Sequence, residues 1–141
     1  MGKVDVVCGV VIHNNEILIC QKRDGHSKDK WEFPGGKINP GESREDSIVR
    51  ELFEELELRV LPRNEIVSYN FGNYNLIFIE CSCSEPFEIK LKEHQDYKWC
   101  TIPSLKYFNF VDGDIEFIKV LNQNSLNGLD SHDNKDTIKS D

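Results

Sequence analysis

Four side chains in one short stretch, Arg50, Glu51, Glu54 and Glu55, have the types and spacing to do ionic chemistry. At about 100° per residue on a helix, Glu51, Glu54 and Glu55 fall within an arc of roughly 100°, away from the stripe formed by Ile48, Leu52 and Leu56. Carboxylates this close raise one another's pKa unless a positive charge offsets them. A hard divalent cation is the natural counter-charge: Mg²⁺ takes oxygen ligands, keeps several waters, and accepts a few carboxylates plus substrate phosphates. The glycines Gly35 and Gly36, read as a turn, would let a backbone carbonyl approach the same patch. An exposed acidic helix face, with Arg50 paired to Glu54 one turn on, would use the same residues.

The elements that must position these groups are legible around them. Val4 to Ile12 and Ile17 to Cys20 flank Asn14-Asn15 as a β-hairpin. A polar loop, 23–30, leads to Trp31-Glu32-Phe33 and the breakers Pro34-Gly35-Gly36, with a second turn at Pro40-Gly41. Ser43 followed by Asp46 makes an N-cap, so the spacing predicts a helix from Arg44 through Leu56, halted before Pro62. Ile66 to Phe71, Leu76 to Cys83 and Tyr97 to Thr101 read as strands, with a polar connection from Ser84 to Gln95. A second helix is expected from Asp112 to Asn122, and the polar residues 124–141 read as a disordered tail after a domain spanning 1–123. This mixture fits an α/β/α sandwich around a mixed sheet.

Composition narrows the function. With 141 residues the chain is one domain. Its 17 Lys+Arg against 25 Asp+Glu give a net charge of −8, which excludes a nonspecific nucleic-acid or membrane-surface binder. No apolar run is long enough to span a bilayer and the start is not a signal peptide, so a cytoplasmic protein is expected. Five cysteines, Cys8, Cys20, Cys81, Cys83 and Cys100, without CxxC spacing argue for reduced thiols rather than a disulfide framework or a zinc site. Trp31 and Trp99 read as packing residues, and His13, His94 and His132 have no partner pattern.

The full pattern is Gly36, five residues, Glu42, seven residues, Arg50-Glu51-Leu52-Phe53-Glu54-Glu55, then Leu58. At average residue usage its six fixed identities match by chance on the order of once in 10⁷ starts. This stretch resembles the box of the Nudix hydrolase family, departing from it only at Glu57, where the family has glycine. With Glu32-Phe33-Pro34-Gly35-Gly36-Lys37 before the box and an acidic loop and helix after it, the chain is similar to the MutT-like branch over most of residues 3–121.

The resemblance implies a Nudix-type α/β/α fold and a Mg²⁺- or Mn²⁺-dependent hydrolase. It would release a nucleoside monophosphate and pyrophosphate from a triphosphate, 8-oxo-dGTP or CTP/dCTP. A different nucleoside diphosphate derivative and a nonhydrolytic nucleotide-binding module are the alternatives. Glu51, Glu54, Glu55, Glu93 and a carbonyl of Gly35 or Gly36 would hold metal, Arg50 would orient the cluster, and Glu42 would support the loop or an outer-shell water. Glu51 or Glu93 would be the general base. Lys22 or Arg23, His26 and Lys37 correspond to phosphate contacts. Glu32, Phe33, Pro34, Gly35 and Phe71 correspond to the nucleotide pocket, and Asp114 to the residue reading the base edge. The partner implied is a small nucleotide, with no nucleic-acid polymer and no membrane; assembly state is left open.

Overall fold

The computed structural model describes residues 3–134, with side chains described through Gln123. Strand β1 (Val4–His13) is the hub of a seven-stranded mixed sheet. Along one edge it runs parallel to β6 (Tyr74–Ser82), from Val4 beside Tyr74 to Val11 beside Cys81. Its other edge is shared. Val6 to Cys8 pair antiparallel with β4 (Gly35–Lys37), and Ile12 and His13 pair with β2 (Glu16–Lys22). Strand β5 (Leu61–Phe71) extends the sheet beyond β6, while β3 (Trp31–Glu32) and β7 (His94–Cys100) both pair with β2.

Side chains alternate across the strands, so β1 serves two cores. Val7 and Val11, with Ile77, Ile79 and Leu18, pack against Ile48, Leu52 and Leu56 of α1 (Arg44–Leu56). Cys8 and Val10, with Ile17, Ile19 and Phe78, pack with Phe117 and Leu121 of α2 (Asp112–Asn134). The result is the expected helix–sheet–helix sandwich.

Most boundaries follow from local chemistry. Asn14 and Asn15 both adopt positive φ, 52° and 65°, the conformation a two-residue hairpin demands. The Ser43 hydroxyl accepts from the Asp46 backbone N–H at 3.0 Å, which starts α1 at Arg44 as the capping pattern predicts. Gly35 and Gly36, in contrast, do not form a turn. They are the start of strand β4, because a Cβ on Gly35 would lie 1.9 Å from the Val7 carbonyl oxygen, and only a glycine lets the backbones approach so closely. A 3-10 helix, Ile102–Tyr107, lies between β7 and α2 and has no signature in the hydrophobic pattern. Helix α2 begins at Asp112 as expected but continues to Asn134, past the expected end at Asn122 and into the segment read as a tail. Residues 135–141 of that segment lie outside the described residues.

Among the described residues no helix is long and apolar enough to cross a membrane. The five cysteines are free, four of them buried, and burial raises the thiol pKa of each.

Candidate active site

Helix α1 turns its apolar stripe into the sheet and leaves its acidic face beside β4. Arg50 organises that face. Its Nε donates to Glu42 Oε2 at 2.7 Å and its Nη2 to Glu42 Oε1 at 2.9 Å, a two-pronged ion pair. Nη1 donates to Glu51 Oε2 at 3.0 Å and to Glu54 Oε1 at 3.2 Å, and Nη2 also reaches the Lys37 carbonyl at 3.1 Å. The guanidinium holds the Glu42 carboxyl down at about 2, and its own pKa is raised by the same contact. Glu42 also closes its loop, accepting from the Asn39 backbone N–H at 3.0 Å.

One turn along, Glu55 faces inward and is only 4% exposed. Its Oε1 is buried and has no hydrogen-bond partner among the described residues. The pKa of its carboxyl is raised, first by burial, then by contact with the Glu51 carboxyl, and then by the charges of Glu32 and Glu93. Gly36 presses on the same group: a Cβ there would sit 2.5 Å from the Glu51 carboxyl carbon. Strand β4 therefore brings main chain against a carboxylate, with no side chain between them.

The four acids do not already close around one point. Among the described residues no three His, Cys, Asp or Glu side chains form a ready ligand group. The contacts explain why: Arg50 draws Glu51 and Glu54 toward itself, and Glu93 is exposed. The donors nonetheless suit an oxygen-seeking divalent cation. A buried, unpartnered carboxylate oxygen at Glu55 is costly until a cation satisfies it, and the crowding of Glu32, Glu51 and Glu93 around it calls for positive charge.

Beside this cluster lies a cavity of about 510 Å³. Lys22, Glu32, Phe33, Gly35, Gly36, Lys37, Phe71 and Asp114 of the expected site line it. Asp114 is 4% exposed, and its Oδ2 accepts from the Phe33 backbone N–H at 3.0 Å. Burial pushes its carboxyl up to about 7, against the opposing pull of the Phe33 N–H and with a further rise from Glu32. Phe33 belongs to the core as well as to the cavity. It stacks on Phe110 at 5.4 Å and meets Phe117 edge-on at 5.3 Å. Phe71, 45% exposed, stands at the mouth.

Three expected residues are not in that wall. Arg23 is exposed and paired with Asp24, His26 is exposed in the same loop, and Pro34 is buried with its carbonyl accepting from Gly9 N–H at 2.7 Å. The loop turns outward after Lys22, so Lys22 and Ser27 face the cavity instead.

Other contributors have no motif to announce them. Cys8 and Leu76 line the cavity because β1 and β6 alternate. The Tyr69 hydroxyl donates to the Gly113 carbonyl at 2.6 Å and accepts from Phe117 N–H at 3.1 Å, fixing the start of α2 and hence Asp114. The buried His94 bonds Glu32.

Comparison with known proteins agrees with this geometry. The model of the NUDIX domain matches residues 3–121. An 8-oxo-dGTP diphosphatase of Buchnera aphidicola subsp. Schizaphis graminum is 35% identical over 113 residues, 78% of this chain and 86% of the relative. A CTP pyrophosphohydrolase of Escherichia coli is 26% identical over 123 residues, 84% of this chain and 91% of the relative. A solved structure from work on MutT of Aliivibrio salmonicida and Vibrio cholerae superposes with a TM-score of 0.69 at 29% identity, covering 84% of this chain and 95% of that one. The chain belongs to the NUDIX domain family, the Nudix hydrolases, and its fold is MutT-like.

Proposed function

We propose that this Nudix hydrolase is a divalent-cation-dependent nucleoside triphosphate pyrophosphohydrolase, yielding a nucleoside monophosphate and pyrophosphate. Its substrate is an oxidised purine triphosphate such as 8-oxo-dGTP, or CTP/dCTP. One observation carries the reading: the unpartnered, buried Glu55 oxygen feels the charge of Glu32, and Glu32 lines one cavity with the buried Asp114. Phosphate chemistry and base recognition thereby adjoin. The relatives named for 8-oxo-dGTP and for CTP, each matched over most of its length, support it.

Glu51, Glu54, Glu55 and Glu93, with a carbonyl of Gly35 or Gly36, would hold Mg²⁺ or Mn²⁺. When bound, such a cation supplies charge neutralisation on the phosphate oxygens and lowers the pKa of water. The chain's own residues do the rest. Arg50 keeps Glu51 and Glu54 at fixed positions through its Nη1. Lys22 and Lys37, both on the cavity wall, are placed to meet phosphate oxygens. Glu51 or Glu93 accepts the proton of the attacking water, whose oxygen bonds to phosphorus as a bridging P–O bond breaks and pyrophosphate leaves. Phe33 and Phe71 flank the base, and Asp114 reads its edge. With its carboxyl at about 7, Asp114 offers a donor or an acceptor near neutral pH.

A screen of purified protein over normal and oxidised (d)NTPs with Mg²⁺ or Mn²⁺, scored by pyrophosphate release, tests the reading. Preferential turnover of 8-oxo-dGTP or of CTP/dCTP is expected. Absence of turnover of every triphosphate would overturn it.

A further inference from the structure

His94 belongs to none of the motifs that build the site, yet it is buried at its edge. Its side chain is 4% exposed, and its Nε2 lies 2.8 Å from Glu32 Oε2. Nδ1 is buried without any hydrogen-bond partner among the described residues. A buried polar atom left unpaired costs stability, so a histidine held only to fill space would be a poor choice against leucine or phenylalanine. Its polar contact among the described residues is Glu32, and with that carboxylate accepting, the ring donates from Nε2.

The backbone is built to aim this ring inward. Strand β7 pairs regularly with β2 from Cys100 to Asp96, and then the register slips, so that Lys22 faces His94 and Gln95 is left over. A bulge of this kind re-aims the side chains beside it. Gln95 turns outward and secures the bulge, donating from Nε2 to the Lys22 carbonyl at 2.7 Å and to Asp29 Oδ1 at 2.6 Å. His94 is thereby directed at β3.

Glu32 is the end of a two-residue strand and forms part of the cavity wall beside Phe33 and Asp114. Its Oε2 is held by His94, while Oε1 has no hydrogen bond among the described residues. A free glutamate side chain loses rotamer entropy when a ligand orders it. One clamped in advance has already lost it. We propose that His94 is a positioning residue for nucleotide selection: its Nε2–H fixes Glu32 so that the free carboxylate oxygen meets an N–H or O–H donor of the bound nucleotide. The inference rests on the triphosphate reading above and adds a determinant of affinity and base choice to it. The rise that the Glu32 charge causes in both Asp114 and Glu55 fits a carboxylate lying between base pocket and acid cluster.

The test is a mutant cycle read as KM against kcat for the triphosphate that the wild type turns over, with the kcat/KM ratio of 8-oxo-dGTP to CTP as a second readout. His94→Phe keeps bulk and removes the donor; it should raise KM about tenfold, change kcat less than threefold, and narrow the ratio between the two bases. Glu32→Ala should do the same, and the double variant should be no worse than either single one, since both remove one interaction. His94→Gln, whose amide N–H falls near the imidazole Nε2, should restore most of the wild-type KM. An unchanged KM in His94→Phe, additive losses in the double variant, or a His94→Gln no better than His94→Phe overturns the proposal. If His94→Phe does not fold, His94→Gln compared with and without Glu32→Ala decides: any KM shift it causes must vanish once Glu32 is truncated, and persistence of the shift overturns it. A wild type that releases no pyrophosphate refutes the enzymatic reading instead. Titration of CMP and 8-oxo-dGMP by tryptophan fluorescence then makes the same comparison, and equal affinities in wild type and His94→Phe overturn the assignment.

Discussion

Arg50 and Glu42 are joined by two parallel hydrogen bonds of 2.7 and 2.9 Å, and the same guanidinium spans to Glu51 and Glu54. Both side chains of the pair are largely covered, 26% and 16% exposed. A planar fork does this and an ammonium cannot. Arg50→Lys should therefore lower the urea midpoint of unfolding, since an ammonium cannot keep all four contacts. Turnover should fall at least tenfold, since carboxylates displaced by even about 1 Å lose rate. A lysine variant with wild-type kcat would show that the fork does not organise the acids.

Glu55 and Glu54 should separate stability from activity. Glu55 is a buried carboxyl with an orphaned oxygen, whereas Glu54 is exposed on Arg50. Glu55→Gln removes an ionisable group whose folded pKa is raised, and such a group costs stability as pH rises above its unfolded value. In EDTA at pH 8 this variant should melt at or above the wild-type temperature. Added Mg²⁺ should stabilise the wild type, by about 2.7 kcal/mol at a hundredfold excess over Kd, and the variant much less. Both Glu55→Gln and Glu54→Gln should lose turnover by roughly 10²-fold or more. Equal Mg²⁺ stabilisation in Glu55→Gln and wild type would remove Glu55 from the ligand set.

Asp114 gives a pH signature. Its carboxyl rises from an ordinary 3.8 to about 7 in the fold. Between those values the folded chain holds a proton that the unfolded chain has released, so this group's contribution is full below about 4 and is lost as pH rises through 7. Asp114→Asn keeps an acceptor for the Phe33 N–H and does not titrate. The melting temperature of the variant minus that of the wild type should become more positive from pH 4 to pH 8. A difference that stays flat across that window would exclude the shift.

The two glycines of β4 should fail differently. Gly35→Ala drives a methyl into the Val7 carbonyl oxygen, backbone against backbone, and should cost more than about 3 kcal/mol or prevent folding. Gly36→Ala meets the Glu51 carboxylate, the end of a side chain that can swing away. Its stability loss should be smaller, and its loss of turnover at least tenfold. Thermal melts and pyrophosphate release distinguish the pair.

Much of this was legible from residue types. The Ser43 cap, the Ile48–Leu52–Leu56 stripe and the Asn14-Asn15 hairpin are local rules, and each holds where the local signal is strong. Gly35-Gly36 reads as a turn because glycine breaks local structure, but here the contact with Val7, 28 positions away in sequence, decides. Long-range pairing also fixes which loop residues face the cavity: Lys22 lies at the end of β2, whereas Arg23 and His26 fall just beyond the strand's hold. His94 depends on a one-residue slip between β2 and β7, which no periodicity reveals.

Glu57 ends α1 in the left-handed conformation, φ 53°, at the one place where the chain departs from the family pattern. Such a conformation costs a residue with a Cβ roughly 1–2 kcal/mol. The carboxylate that glycine would lack bonds Lys92 at 2.9 Å and lies 3.8 Å from Lys90. The same segment donates its Lys90 and Lys92 N–H groups to the carbonyls of Leu56 and Glu55 at 2.9 Å. Glu93 follows directly. The helix that carries Glu51, Glu54 and Glu55 and the arm that carries Glu93 are thus stitched together by two main-chain hydrogen bonds and an ion pair. Main-chain pairing, and not a side-chain contact alone, therefore keeps the segment leading to Glu93 beside the helix.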